Sequence, residues 1–141
     1  SEADILGCSG GTYLGLTYDK HFMVCYFSIG DEPTWSEANL MCQNHGYDGV
    51  ASVLDSDESN YIEDFLTYSS WIGYNDIDTE GSFVWENGDV SPSSYEDWAG
   101  GTSNSATKDC SLINTSGGGS NWTYRNCSLQ KDIVCSVTFP H

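Results

Sequence analysis

The apolar residues of this chain change rhythm halfway along. Up to Leu66 they come as compact runs or at helical spacing; from Trp71 onward they come as short strand-length runs separated by polar stretches. Phe22-Met23-Val24-Cys25-Tyr26-Phe27 is apolar, aromatic and free of Gly and Pro, which predicts a buried strand. A turn follows at Gly30-Asp31-Glu32-Pro33. Thr34 can then cap a helix, with Glu37 placed to complete a capping box, and Trp35, Ala38, Met41, Cys42 and His45 recur along one face. Gly46 is suited to a left-handed helix end. Gly49 to Leu54 reads as a short strand. A second helix opens in Asp55-Ser56-Asp57-Glu58, where the helix dipole favours acids, and buries Tyr61, Ile62, Phe65 and Leu66.

The second half predicts strands at Phe83-Val84-Trp85, Cys110 to Ile113 and Ile133 to Val137. Glu86-Asn87-Gly88 suits a tight hairpin turn, and Gly117-Gly118-Gly119 a looser one. Residues 1–20 read as an irregular N-terminal extension and hairpin. Helices followed by strands predict an α+β domain with an antiparallel sheet, occupying the whole of 1–141.

Charge changes this picture most in the segment from Trp71 to Trp122. Asp76, Asp78, Glu80, Glu86, Asp89, Glu96, Asp97 and Asp109 lie there against a single base, Lys108. The whole chain has 21 acids, four Lys or Arg and a net charge of −17. That disfavours nucleic acid, whose phosphates need basic patches, and anionic membrane surfaces. No apolar run reaches the roughly 20 residues of a membrane helix, so no membrane insertion is expected. The acids form either a solvated anionic surface or a cation-collecting one.

Six cysteines with no C-x-x-C pair favour disulfides and an oxidising compartment over zinc or redox chemistry. The sequons at Asn114, Asn121 and Asn126 fit a secreted origin, with little glycan expected at the last two, which contain Trp122 and Cys127; a start at Ser1 reads as a processed chain. Gly7-Cys8-Ser9-Gly10-Gly11 matches a nucleophile-elbow pattern but lacks the flanking strand and helix. His21, His45 and His141 are scattered, and no nucleophile has a recognisable base, so no enzymatic activity is expected.

Several of these segments form an ordered series: Cys25-Tyr26, Trp35-x-x-Ala38-x-x-x-Cys42, Val50-Ala51-Ser52-Val53, Trp71-Ile72-Gly73-Tyr74 and Phe83-Val84-Trp85. Tyr95-Glu96-Asp97-Trp98, Asp109-Cys110, Trp122 with Cys127, and Val134-Cys135 continue it. The series resembles a long-form C-type lectin-like domain over nearly the whole chain. The resemblance implies an α+β fold of two helices, antiparallel sheets and a disulfide-tied long-loop ligand region, here residues 71–124. It also implies disulfides Cys8–Cys25, Cys42–Cys135 and Cys110–Cys127; spacing alone leaves 15 connectivities open.

In that family calcium in the long loop takes carboxylate and amide oxygens, and sugar hydroxyls complete its coordination. The motifs for that site are altered here. Thr102-Ser103-Asn104 stands where Glu-Pro-Asn would, Lys108 replaces an acid before Cys110, and Trp122-Thr123-Tyr124 replaces Trp-Asn-Asp. A standard calcium-mediated sugar site is therefore not expected. Thr102, Asn104, Lys108, Thr123 and Tyr124 remain candidate ligand contacts. Tyr124 is the first choice for stacking on a sugar, with Tyr74 and Tyr95 as further exposed rings. The Trp residues at 71, 85, 98 and 122 are expected in the core. An auxiliary calcium site fits Asp76, Glu80 and Asp109 better, the alternative being a solvated acidic hairpin.

The functional expectation is a secreted, non-enzymatic recognition module binding a glycan without calcium or with weak calcium assistance. Recognition of an extracellular protein, or of a mineral, ice or cation-rich surface, is the alternative.

Overall fold

The computed structural model describes residues 12–17, 22–66, 68–86, 88, 95–98, 107–115 and 122–140. Its elements are β1 (Thr12–Thr17), β2 (Phe22–Ile29), α1 (Trp35–Asn44), β3 (Gly49–Val50) and α2 (Ser56–Phe65). They continue with β4 (Ser70–Asn75), β5 (Val84–Trp85), β6 (Cys110–Ile113), β7 (Trp122–Arg125) and β8 (Asp132–Pro140). The strands form one sheet in the order β1-β2-β8-β4-β6-β7, with β3 beside β8 and β5 beside β4.

The helix boundaries follow local chemistry. Glu37 reaches back so that its Oε1 accepts from the Thr34 N–H at 3.0 Å and from the Thr34 hydroxyl at 2.9 Å. The expected α1 start is therefore present, and Gly46 takes a φ of 91° just beyond its last turn. Asp55 caps α2 by accepting from the Glu58 N–H at 2.9 Å. Neither described helix is long and apolar enough to cross a membrane.

Side chains alternate across the strands, so the sheet buries two separate clusters. Cys25, Phe27, Trp71, Leu112, Ile133 and Cys135 pack on one face with Trp35, Ala38 and Cys42 of α1. Val24, Tyr26, Ile72, Ile113, Trp122 and Val134 pack on the other with Ile62 of α2 and with Trp85. A strand covered on both faces reads as an unbroken apolar run, which is why Val24 to Phe27 shows no alternation. Gly73 lets β4 pass close to the end of β3: a Cβ there would lie a tight 3.1 Å from the Val50 carbonyl oxygen.

Three features differ from the sequence reading. The sheet is mixed, because β4 runs parallel to β8 through Ser70–Asp132 and Trp71–Ile133 while the other strand pairs are antiparallel. Apolar pattern reports burial and carries no information on strand direction, so this join was not legible. Residues 12–17 are a strand, not irregular chain, and are hydrogen-bonded to β2. The Gly49 to Leu54 run is a strand only at Gly49–Val50.

Disulfides join Cys42 to Cys135, 93 residues apart, and Cys110 to Cys127, 17 residues apart, as the resemblance implied. Cys25 is disulfide-bonded as well. The expected pairing with Cys8 lies outside the described residues.

Candidate functional site

The end of β4 gathers the candidate ligand chemistry. Asp76 directly follows the strand, and its N–H donates to the Asp109 carbonyl at 3.0 Å, which ties the two acids together through the backbone. Asp109 precedes Cys110, so the short disulfide fixes its position. Asp76 Oδ2 accepts from the Gly81 N–H at 2.7 Å, which curls the intervening turn and brings Glu80 alongside. One carboxylate oxygen from each of Asp76, Glu80 and Asp109 lies within 4.8 Å of the others.

The electrostatics are those of like charges held together. Glu80 is pushed up to about 6, by loss of hydration first, then by its hydrogen bond with Asp109 and the charge of Asp76. Asp109 is raised too, by burial and by its neighbour Asp76. Asp76 is almost fully buried, yet its Oδ1, like the Oδ1 of Asp109, has no hydrogen-bond partner. A buried carboxylate oxygen without a donor is costly to maintain. The trio fits a hard cation that takes oxygen ligands, and calcium is the chemical match. These three residues would hold it, and it would neutralise the repulsion between them.

Beside the acids stands a row of partly exposed rings. Tyr74 stacks on Trp85 with centroids 4.4 Å apart and contacts Phe83 at 5.2 Å. Trp98 stacks on Tyr124 at 3.8 Å, and Phe83 reaches both of them at 5.3 Å. Glu96 clamps the row: its Oε2 accepts from the Tyr74 hydroxyl at 2.5 Å and its Oε1 from the Trp98 indole at 3.1 Å. Burial, Glu96 and Asp76 together raise the Tyr124 phenol, so it stays a neutral hydroxyl. Fully buried Trp122 supports the row from below, edge-on to Trp85, Tyr95 and Trp98.

The candidate residues fall in different places. Asp76, Glu80 and Asp109 come together. Lys108 is exposed in the residue before Asp109. Tyr124 is half-buried within the aromatic row rather than standing alone. Thr123 is buried and, by strand alternation, faces away from Tyr124, opposite Leu112. Thr102 and Asn104 lie outside the described residues. Trp71, Trp85 and Trp122 are in the core as expected, whereas Trp98 is half-buried. Glu96, which joins Tyr74 to Trp98, was not among the candidate ligand contacts. Its place in Tyr95-Glu96-Asp97-Trp98, an acid between two aromatics, was the available signal.

Known proteins show the same arrangement of segments. The lectin C-type domain model matches residues 31–137. Lectin BRA-3 of Megabalanus rosa is 30% identical over 123 residues, covering 85% of this chain and 73% of that protein. The human C-type mannose receptor 2 is 37% identical over 116 residues, covering 79% of this chain but only 8% of the receptor. Among solved structures, the cow C-type carbohydrate-recognition domain of CD23, crystallised with a GlcNAc2Man3 oligosaccharide, superimposes with a TM-score of 0.70 at 26% identity. That match covers 80% of this chain and 86% of that one.

Proposed function

This chain belongs to the lectin C-type domain family, and from that premise we propose that it is a secreted, non-enzymatic module that binds carbohydrate on the aromatic row of Tyr74, Phe83, Trp98 and Tyr124, with weak assistance from calcium at Asp76, Glu80 and Asp109. The observation that carries this reading is the half-buried stack itself. Partly exposed aromatic faces beside a polar clamp present an apolar surface and hydrogen-bonding groups at one edge, the combination that a sugar ring needs.

The residues divide the work. Trp98 and Tyr124 supply ring edges and faces for the C–H groups of a pyranose. Glu96, held by Tyr74 and Trp98, offers acceptor lone pairs to sugar hydroxyls. Asp76 lies one residue beyond β4, Glu80 in the turn that follows and Asp109 just before β6, so neutralising the trio would hold the turn that leads to Phe83 against Asp109. Calcium, when bound, supplies charge and open coordination positions. The altered loop motifs, with Lys108 before Asp109, argue against dependence on the family's usual sugar-site metal.

Exposed Ile77 on the β4–β5 connection and Val84 of β5 favour the second reading, recognition of an extracellular protein. A glycan array probed with calcium and with chelator separates the two. Binding that survives chelation at reduced strength and is lost in Tyr124→Ala supports the carbohydrate reading. Silence of the wild-type protein across a broad array removes it.

A further inference from the structure

We propose that the cavity at the start of β4 is a second binding site, one that takes the cationic side chain of a protein partner, a lysine ammonium or an arginine guanidinium. The cavity measures about 260 Å³ and is lined by Glu32, Tyr68, Ser69, Gln130, Lys131 and Asp132. It lies at the opposite end of β4 from the acid trio, about 17 Å away along a six-residue strand. It is therefore independent of the carbohydrate reading.

Its size and walls favour a single side chain. The volume falls below the range of roughly 300–1,000 Å³ typical of sites that enclose whole small molecules. The walls are fixed by the backbone: the Lys131 N–H donates to the Pro33 carbonyl at 3.2 Å, and Ser70 of β4 pairs with Asp132 of β8. Ser69 Oγ donates to Asn114 Oδ1 at 3.0 Å, and Ser70 Oγ to the Tyr68 carbonyl at 2.9 Å. These bonds anchor the segment that carries Tyr68, a lining residue 68% exposed.

The charges identify the ligand. Glu32 and Asp132 both face the cavity, and the Asp132 carboxyl is raised by burial and then by the charge of Glu32. Lys131, on the same rim, does not cancel that effect. Glu32 is also the sole non-glycine residue with positive φ among the described residues, at 53°. Its backbone is thus held in a conformation that side chains disfavour while its carboxylate is kept beside another.

A cation placed between them relieves the repulsion, and an exposed phenol beside it adds a cation–π face. Two carboxylates are fewer than the six to eight oxygen ligands that a calcium ion takes. Among the described residues, a grouping of three acids occurs only at Asp76, Glu80 and Asp109. A net charge of −17 draws basic partners towards the domain.

The test is an amide NMR titration of the calcium-free protein at physiological salt. The probes are Nα-acetyl-arginine amide and Nα-acetyl-lysine amide, with Nα-acetyl-norleucine amide and glucosamine as comparators. Saturable shifts confined to residues 30–33, 68–70 and 130–132 with either cationic probe, and none with norleucine, are expected. Glu32→Gly suits the positive φ and keeps the fold, and Asp132→Asn keeps the shape; each should weaken binding at least fivefold without lowering Tm. Shifts that fail to saturate, or that appear equally at residues 76–80, would overturn the proposal, as would unchanged affinity in both variants. Saturation by glucosamine without saturation by either amino-acid probe would overturn the protein-partner assignment.

Discussion

Trp71 and Trp122 are both fully buried in one sheet, yet they are finished differently. The Trp71 indole donates to the Pro33 carbonyl at 3.2 Å, and that of Trp35 beside it donates to the Ile72 carbonyl at 2.9 Å. The Trp122 indole has no acceptor. The contrast extends beyond two rings. The buried side-chain atoms without partners among the described residues belong to Asp76, Asp109, Ser111, Trp122 and Thr123. All of them sit at the end of β4 or on β6, β7 and the residue before β6. The α1 side of the domain is closed by its own backbone. The loop side carries polar groups that its own chain does not satisfy, each of which forfeits roughly 1–3 kcal/mol. Unmatched buried polar groups gathered in one region are what a site completed by a bound ligand or ion would leave.

Removing the long-range disulfide should break the contrast most severely. Cys42→Ala with Cys135→Ala opens a 93-residue loop and should lose about 4–5 kcal/mol, whereas Cys110→Ala with Cys127→Ala opens 17 residues and should lose about 3 kcal/mol. Denaturant unfolding of both double variants measures this. Equal losses would mean that the loop side contributes as much rigidity as the α1 side, and the contrast would fail.

The two tryptophans allow a sharper comparison. Trp71→Phe removes one of the two donors to the Pro33 carbonyl, which keeps the Lys131 N–H, while Trp122→Phe removes a donor that has no acceptor. Both lose ring volume, so the difference isolates the polar term. Trp71→Phe should be the more destabilising by about 0.5–1.5 kcal/mol, the net worth of one hydrogen bond. Similar values from chemical denaturation would show that the Trp122 indole is satisfied in solution.

Calcium should act on the loop side alone. For a site with a Kd near 1 mM, as in extracellular modules, 10 mM calcium adds about 1.4 kcal/mol. For a domain of this size that corresponds to roughly 3–5 °C in Tm. Asp76→Asn should abolish the shift and Asp132→Asn should leave it intact. A shift that survives Asp76→Asn would place the ion elsewhere.

The framework side was also the more legible in the sequence. Thr34, Glu37 and Gly46 delimited α1 because capping is local chemistry. The second helix was placed correctly but its buried face was read too narrowly. Glu58 lies four residues before Ile62 and so shares its face, yet as an acid it was assigned to the helix dipole. The structure buries it completely, with the Tyr26 hydroxyl donating to it at 2.8 Å.

The loop side was legible in its acids and not in its rings. Asp76, Glu80 and Asp109 were identified from position, and the structure brings them together. The stacking of Tyr124 on Trp98 joins residues far apart in the chain, and no spacing rule reports such a contact. Strand β7 carried too short an apolar signal between Gly-rich chain and Cys127 to stand out. The contacts expected of Thr102 and Asn104 rest on residues outside the described ones.

The smallest effect is also the most specific to the acid trio. The folded-state Glu80 carboxyl is pushed up to about 6 and that of Asp109 is raised as well, while both are ordinary acids in the unfolded chain. Between the ordinary glutamate range and pH 6, the folded protein therefore binds more protons than the unfolded one. Stability then falls as pH rises through that window, the reverse of a salt-bridged carboxylate. In chelator, lowering pH from 7 to 5 should stabilise the wild-type protein relative to Glu80→Gln, which cannot titrate there. Calcium should invert the trend, because the ion takes the ionised form, so its protection should grow as pH rises through 6. Other acids titrate in the same range, so the quantity to measure is the wild-type minus Glu80→Gln difference in unfolding free energy at each pH. A difference that does not change between pH 5 and 7 would mean that the three carboxylates do not repel one another in solution. The buried, unpartnered oxygens of Asp76 and Asp109 would then need another explanation than a missing cation.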